Sequence, residues 1–157
     1  MIQQNQSMPS GQLTQRINGE TITHDANELF ANKKVALFAV PGAFTPTCSA
    51  SHLPGFVALA DKIKAKGVDA IICLSVNDAF VMEAWGQAHN AEEIMMLGDG
   101  DGAYTKTLGL DKETGSFGGI RSQRYSMIID NGVITQLNLE QPKEFKISDA
   151  QTLLEQL

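Results

Sequence analysis

The sequence predicts an α/β domain of three layers, with helices on both faces of a central mixed sheet, and three observations carry that prediction. Short apolar runs at Val35–Val40, Asp69–Val76 and Ile94–Leu97 suit strands buried on both sides rather than strands with one wet face. Stretches with apolar residues at helical spacing stand between them, and strands alternating with helices give parallel crossovers. Late in the chain, Asp130-Asn131-Gly132 separates two further strand-like runs, a hairpin signal that adds an antiparallel pair.

In chain order, residues 1–11 are polar and expected to fray. Gln12–Ile17 and Thr21-Ile22 read as a short hairpin around Asn18-Gly19, a dipeptide that tolerates the positive φ of a tight turn. Asp25 is placed to cap a brief helix through Asn27–Phe30. After the Val35–Val40 strand, Leu53, Phe56, Val57, Ala60 and Ile63 recur at helical spacing in one long helix from the Cys48 turn to Gly67, a glycine suited to a left-handed cap. Pro54 inside it lacks an N–H and frees the carbonyl of Ala50, so a bend is expected near the second turn.

Asn77-Asp78 opens a helix carrying Phe80, Val81, Ala84 and Trp85, and Gly98–Gly102 is a loop before a short helix at Tyr104–Leu108. Gly115–Gly119 reads as a flexible connection, Arg124–Ile129 and Val133–Leu137 as the hairpin strands, and Ser148 as the cap of a last helix through Leu157. Neither a linker nor an internal repeat divides the chain, so residues 1–157 are expected to form a single thioredoxin-like domain.

With 157 residues, 43% of them apolar, a chain of this size buries about 70% of its unfolded surface and needs no disulfides. A net charge of −6 without clustered Lys/Arg argues against nucleic acid and anionic membranes as partners. Met1–Gln6 has neither the basic start nor the apolar run of a secretory signal, and no stretch approaches a membrane span. Cys48 and Cys73 form no C-x-x-C and no zinc-like pairing with histidine, so a cytoplasmic, reducing setting is expected and no cofactor is implied. Gly98–Gly102 lacks the acids of a calcium loop and is followed by no ribose-holding acid, so it is read as a helix-capping turn.

The chemistry concentrates in Pro41–Cys48, a turn that follows a buried strand and puts a cysteine at a helix N-terminus. Free amide N–H groups and the positive end of the helix dipole meet there. Thr45, three residues before Cys48, can bring its hydroxyl to the sulfur or to a bound oxygen, and Pro41 and Pro46 stiffen and shield the turn. His52 follows one helical turn later, with its ring leaning back toward the sulfur. Ionising an ordinary cysteine at pH 7 raises the reactive fraction about 30-fold, roughly 2 kcal/mol. Greater acceleration requires groups that stabilise charge on the substrate, and Arg124, at the start of an apolar strand, is the better placed cation, with Arg121 a supporting charge.

Pro41, Thr45 and Cys48 fit the P-x-x-x-T-x-x-C signature of the peroxiredoxins, and Pro41–Ser49 with His52–Phe56 looks like the type II, or redoxin, subclass. The resemblance continues through Cys73–Asp78, Trp85-Gly86 and Arg121–Met127 and covers nearly the whole chain after residue 12. It implies that Cys48 is the peroxidatic cysteine, that Thr45 orients the peroxide, that Arg124 stabilises thiolate and transition state, and that Pro41 shields the site. The implied substrates are hydrogen peroxide and small alkyl hydroperoxides, and the implied assembly is a homodimer. Atypical two-cysteine relatives carry a resolving cysteine near the C-terminus, whereas Glu144–Asp149 has none. Some relatives fuse a glutaredoxin domain at this end, where this chain stops at Leu157. An external thiol is therefore expected to reduce Cys48, with glutathione or glutaredoxin favoured over thioredoxin.

Blander readings apply to the other residues. Cys73, within an apolar strand, is expected to pack the core, and Trp85 to be core or near a dimer contact. His52 as part of a hydrolase dyad or metal pair has no third partner placed by the sequence. Two alternative functions remain at this level: a redox-sensing binding module, and a thiol-disulfide oxidoreductase working without C-x-x-C.

Overall fold

The computed structural model of the chain describes residues 1–157. Its strands are β1 (Gln12–Ile17), β2 (Glu20–Asp25), β3 (Lys34–Val40), β4 (Ala70–Ser75), β5 (Met95–Gly98), β6 (Asp111–Glu113), β7 (Ile120–Ser122), β8 (Tyr125–Asp130) and β9 (Val133–Leu139). The α-helices are α1 (Ala26–Phe30), α2 (Leu53–Ala65), α3 (Ala79–Ala88), α4 (Ala103–Leu108) and α5 (Ala150–Glu155). Seven strands form one sheet in the order β2-β1-β5-β4-β3-β8-β9, while β6 and β7 pair in a separate ribbon. The β3-β4 and β4-β5 pairs are parallel and β3-β8 is antiparallel, so the sheet is mixed, as the alternating elements and late hairpin predict.

β3 shows why a continuous apolar run is needed at the centre. Ala36, Phe38 and Val40 enter one core with Phe56, Cys73 and Trp85, whereas Val35, Leu37 and Ala39 enter the other with Phe30, Leu74 and Tyr125. From Val35 to Val40 every residue has 0% exposure, so neither face of this strand is wet.

Four local expectations need correction. Residues 1–11 do not fray: Ile2 N–H donates to Leu108 O, and Asn5 and Met8 donate to Ile134 O and Gly132 O, which seats Met8 in the core. Gly115–Gly119 is not a loose connection but the 3₁₀ tip of the β6-β7 ribbon, closed by Thr114 N–H and Oγ1 on Gly119 O. Ser148 does not cap the last helix; Asp149 does, accepting from Thr152 N–H, and α5 ends before Leu157. The long helix after Cys48 opens as a π turn over Cys48–His52 before α2 begins, with Leu53 N–H bonded to Cys48 O. Pro54 explains the wider turn, because its ring and missing N–H oppose an α-helical bond to Ala50.

Where the end of β5 packs on the turn between β4 and α3, no room is left for a side chain at Gly98. A Cβ there lies 2.6 Å from Asn77 O and 3.0 Å from Ala79 N, both backbone atoms. Gly98→Ala is expected to lower the free energy of unfolding by about 1–3 kcal/mol, measured by urea denaturation; an unchanged midpoint would contradict the close approach.

Candidate active site

Helical geometry starts at Pro46, where a missing N–H is harmless, and Ser49 N–H closes the first turn on Thr45 O at 2.9 Å. Cys48 therefore sits in the first helical turn, fully buried. The Nη2 of Arg124 donates to its Sγ at 3.1 Å. Arg124 stands one residue before β8, so the sheet itself delivers the guanidinium across to the turn after β3.

His52, also fully buried, fixes the other arm of that guanidinium: Arg124 Nη1 lies 2.9 Å from Nδ1, and Nε2 lies 2.9 Å from the carbonyl of Ser148. Partner chemistry sets the tautomer. A guanidinium only donates and a carbonyl only accepts, so Nδ1 is the acceptor and Nε2 carries the proton. Burial first and the Arg124 charge second push the His52 pKa down to about 3, which keeps the ring neutral. Phe38, Phe56 and Phe145 surround it at ring distances of 5.0, 5.8 and 4.9 Å. Arg124 also lies over Phe145, 5.7 Å from the ring centre.

Thr45 uses its hydroxyl proton on Gly42 O, 2.6 Å away, rather than on the sulfur. Its oxygen lone pairs remain free to accept. Other contacts hold the turn from three sides: Arg121 Nη1 donates to Pro41 O at 3.3 Å, Ala43 N–H to Asn77 Oδ1 at 3.0 Å, and Trp85 Nε1 to Ser49 Oγ at 3.0 Å. Gly42 is needed for the first, since a Cβ there would lie 2.5 Å from Arg121 Nη1. Arg121 thus braces the turn and makes no bond to Arg124. Trp85, fully buried, is core and also ties α3 to the π turn.

Cys73 lies on β4 in the same apolar core as Cys48, fully buried, with both cysteines free. Burial pushes its thiol pKa well above the ordinary range, and the neighbouring Cys48 adds to the effect. A groove of about 590 Å³ opens over Arg124, lined by Pro41, Thr47, Gln123, Glu140 and Phe145 among others. Sequence reasoning missed Asn77, Phe145 and Ser148 as parts of the site. Asn77 was visible only as a helix opener, and Ser148 contributes a backbone carbonyl that any residue type would supply.

The family model described as Redoxin matches residues 3–154, nearly the whole chain. Peroxiredoxin-2D of Arabidopsis thaliana is 46% identical over 142 residues, covering 89% of this chain and 88% of the relative. The hybrid peroxiredoxin hyPrx5 of Haemophilus influenzae is 49% identical over 83% of this chain, which spans 56% of that longer protein. Among solved structures, reduced Prx3 from Vibrio vulnificus in complex with hydrogen peroxide superposes with a TM-score of 0.98 at 61% identity, over 99% of both chains. A buried cysteine under a charged guanidinium, on a sheet of this topology, belongs to the thiol-based redoxin family, and this chain is a member of it. Within that family it is a peroxiredoxin, a thiol peroxidase with a thioredoxin-like fold.

The lowered pKa of His52 fixes the sign of a pH effect. Between about 3 and 6.5 the unfolded chain holds a proton on this imidazole that the folded protein does not. Stability is therefore lost as pH falls through that window, by at most about 1.4 kcal/mol per pH unit from this one site. Glu140, whose pKa is lowered from 4.5, acts only at the acid end of the same window. Urea midpoints are expected to fall from pH 6.5 to 5, and His52→Gln to flatten that slope; an equal slope in both proteins would contradict a neutral buried His52.

Proposed function

We propose that the chain reduces hydrogen peroxide and small alkyl hydroperoxides at Cys48, and that an external thiol restores the enzyme. The observation that carries this reading is the Arg124 bond to Cys48 Sγ at 3.1 Å, with Thr45, three residues earlier in the same turn, spending its hydroxyl proton on Gly42 O. The sulfur attacks the terminal oxygen of the hydroperoxide in line. As the S–O bond forms, the O–O bond breaks, and Cys48 becomes a sulfenic acid. The electron pair leaves on the other oxygen as hydroxide or alkoxide, which takes a proton and departs as water or alcohol. Thr45 accepts the peroxide O–H because its own proton is on Gly42 O. Arg124 donates to sulfur and to the oxygen that gains charge, and Pro41 closes the side of the turn. The relative solved with hydrogen peroxide supports this substrate class.

A reducing thiol then attacks the sulfenic sulfur and releases water, leaving a mixed disulfide that a second thiol resolves. Glutathione, with or without glutaredoxin, is favoured, and thioredoxin is the alternative. Two features support an external thiol. Cys73 is buried with its thiolate disfavoured, and Phe145–Ser148, the segment packed beside His52, holds no cysteine. We further propose a homodimer in a reducing cytoplasm. Phe44, Phe80 and Phe117 are 56%, 60% and 84% exposed, Phe44 and Phe117 beside the active-site turn, and a second copy would cover them.

Peroxide consumption coupled separately to glutathione plus glutaredoxin and to thioredoxin tests the reading. Turnover is expected with the first pair, none in Cys48→Ser, and most of it retained in Cys73→Ser. Activity surviving in Cys48→Ser would overturn the assignment. Loss of turnover in Cys73→Ser with sulfenic acid still forming would make Cys73 the resolving thiol.

A further inference from the structure

Glu140 is buried, 5% exposed, and it makes no ion pair with any cation. A carboxylate taken out of water in this way is costly unless other donors replace the solvent. Here a single oxygen, Oε2, accepts from Lys146 N–H, Ile147 N–H, Ser148 N–H and Ser148 Oγ, each at 2.8 Å. Successive backbone N–H groups converging on one anion form a nest that fixes the path of the chain. Although burial alone would raise the Glu140 pKa, these bonds outweigh it and hold the carboxyl below its usual range. The loop held in this way ends at Ser148, whose carbonyl receives the Nε2 proton of His52.

The same residue meets Arg124 a second time. Just beyond the β8-β9 ladder, Glu140 N–H donates to Arg124 O at 3.0 Å. Its backbone therefore fixes where Arg124 leaves the sheet, and its carboxylate fixes the loop against which the guanidinium is aimed.

We infer that Glu140 is a positioning residue for Cys48 oxidation, acting through the connected bonds Glu140 to Ser148, Ser148 to His52, His52 to Arg124, and Arg124 to the sulfur. Each link is a bond of 2.8–3.1 Å between groups that are buried or partly buried. The His52 link allows no substitute tautomer, so a displaced Ser148 carbonyl leaves the Nε2 proton unpaired in an aromatic box. Turning the ring to find a partner would then take Nδ1 off Arg124. The inference rests on the peroxidase reading above, and its test separates the two.

The rate constant for Cys48 oxidation by hydrogen peroxide is measured by stopped-flow in single turnover, at a temperature where each variant is folded by circular dichroism. Glu140→Ala is expected to slow oxidation about 10- to 100-fold, the range seen when outer groups that orient reacting residues are lost. Glu140→Gln, which keeps an acceptor oxygen, is expected to recover most of that loss. Glu140→Asp, which withdraws the carboxylate by one methylene, serves if Glu140→Ala does not fold, and is expected to lose at least about 3-fold. The decisive arm is the His52→Ala background. There the Glu140 substitution is expected to add less than about 2-fold, because its route to Arg124 is already cut. Full additivity, or single variants within about 2-fold of the parent, would reduce Glu140 to a stability role and overturn the inference. A parent protein that does not oxidise Cys48 with peroxide would instead defeat the peroxidase reading.

Discussion

The hydrogen bond from Arg124 to the sulfur of Cys48 is the constraint on which the active site depends. It joins two segments far apart in sequence: the turn after β3 and the residue before β8. Those strands are hydrogen-bonded neighbours in antiparallel register, with Ala39 opposite Tyr125, so the ends carrying the two side chains come together. The fold thus supplies the approach, and local contacts supply the aim. A guanidinium suits this position because its planar fork serves two acceptors at once, the sulfur and His52 Nδ1.

The neutrality of His52 follows from the same constraint. A second positive charge beside Arg124 in an aromatic box would be repelled and poorly solvated, and burial and Arg124 are the two largest influences lowering its pKa. The ring therefore acts as a proton-holding spacer between a carbonyl and a guanidinium rather than as an acid or base. Ionising the cysteine by itself accounts for only about 2 kcal/mol, so acceleration beyond that must come from donors already aimed at the peroxide. Bonds to His52 and the sulfur hold the Arg124 donors in place before substrate arrives, and the bond to Gly42 O holds Thr45 as the acceptor.

Much of this was legible in the sequence because the informative signals were local. The apolar runs marked the central strands, Asn131-Gly132 the late hairpin, and the Pro41–Cys48 turn the nucleophile. Arg124 was found from its place at the start of a strand. What escaped notice depended on long-range partners. The sequence could not show that Thr45 gives its proton to Gly42 O, or that Arg121 holds Pro41 instead of Arg124. Residues 1–11 look frayed because their composition is polar, yet backbone bonds to β9 and α4, with Met8 in the core, dock them. Pro54 signalled a distortion of the helix, but its form as a π turn over Cys48–His52 needed the backbone itself. The β6-β7 ribbon is too short and too polar to announce itself by alternation.

The active site has one central requirement, a single guanidinium that reaches the sulfur and His52 together. Arg124→Lys tests it directly, because an ammonium keeps the charge but lacks the planar fork. Trp85, bonded to the residue after Cys48, provides a fluorescence signal for the single-turnover reaction with hydrogen peroxide. The rate constant of Cys48 oxidation is expected to fall about 10²- to 10³-fold, as when a preorganised transition-state donor is removed. A rate within about 3-fold of the parent would show that charge alone suffices and would contradict it.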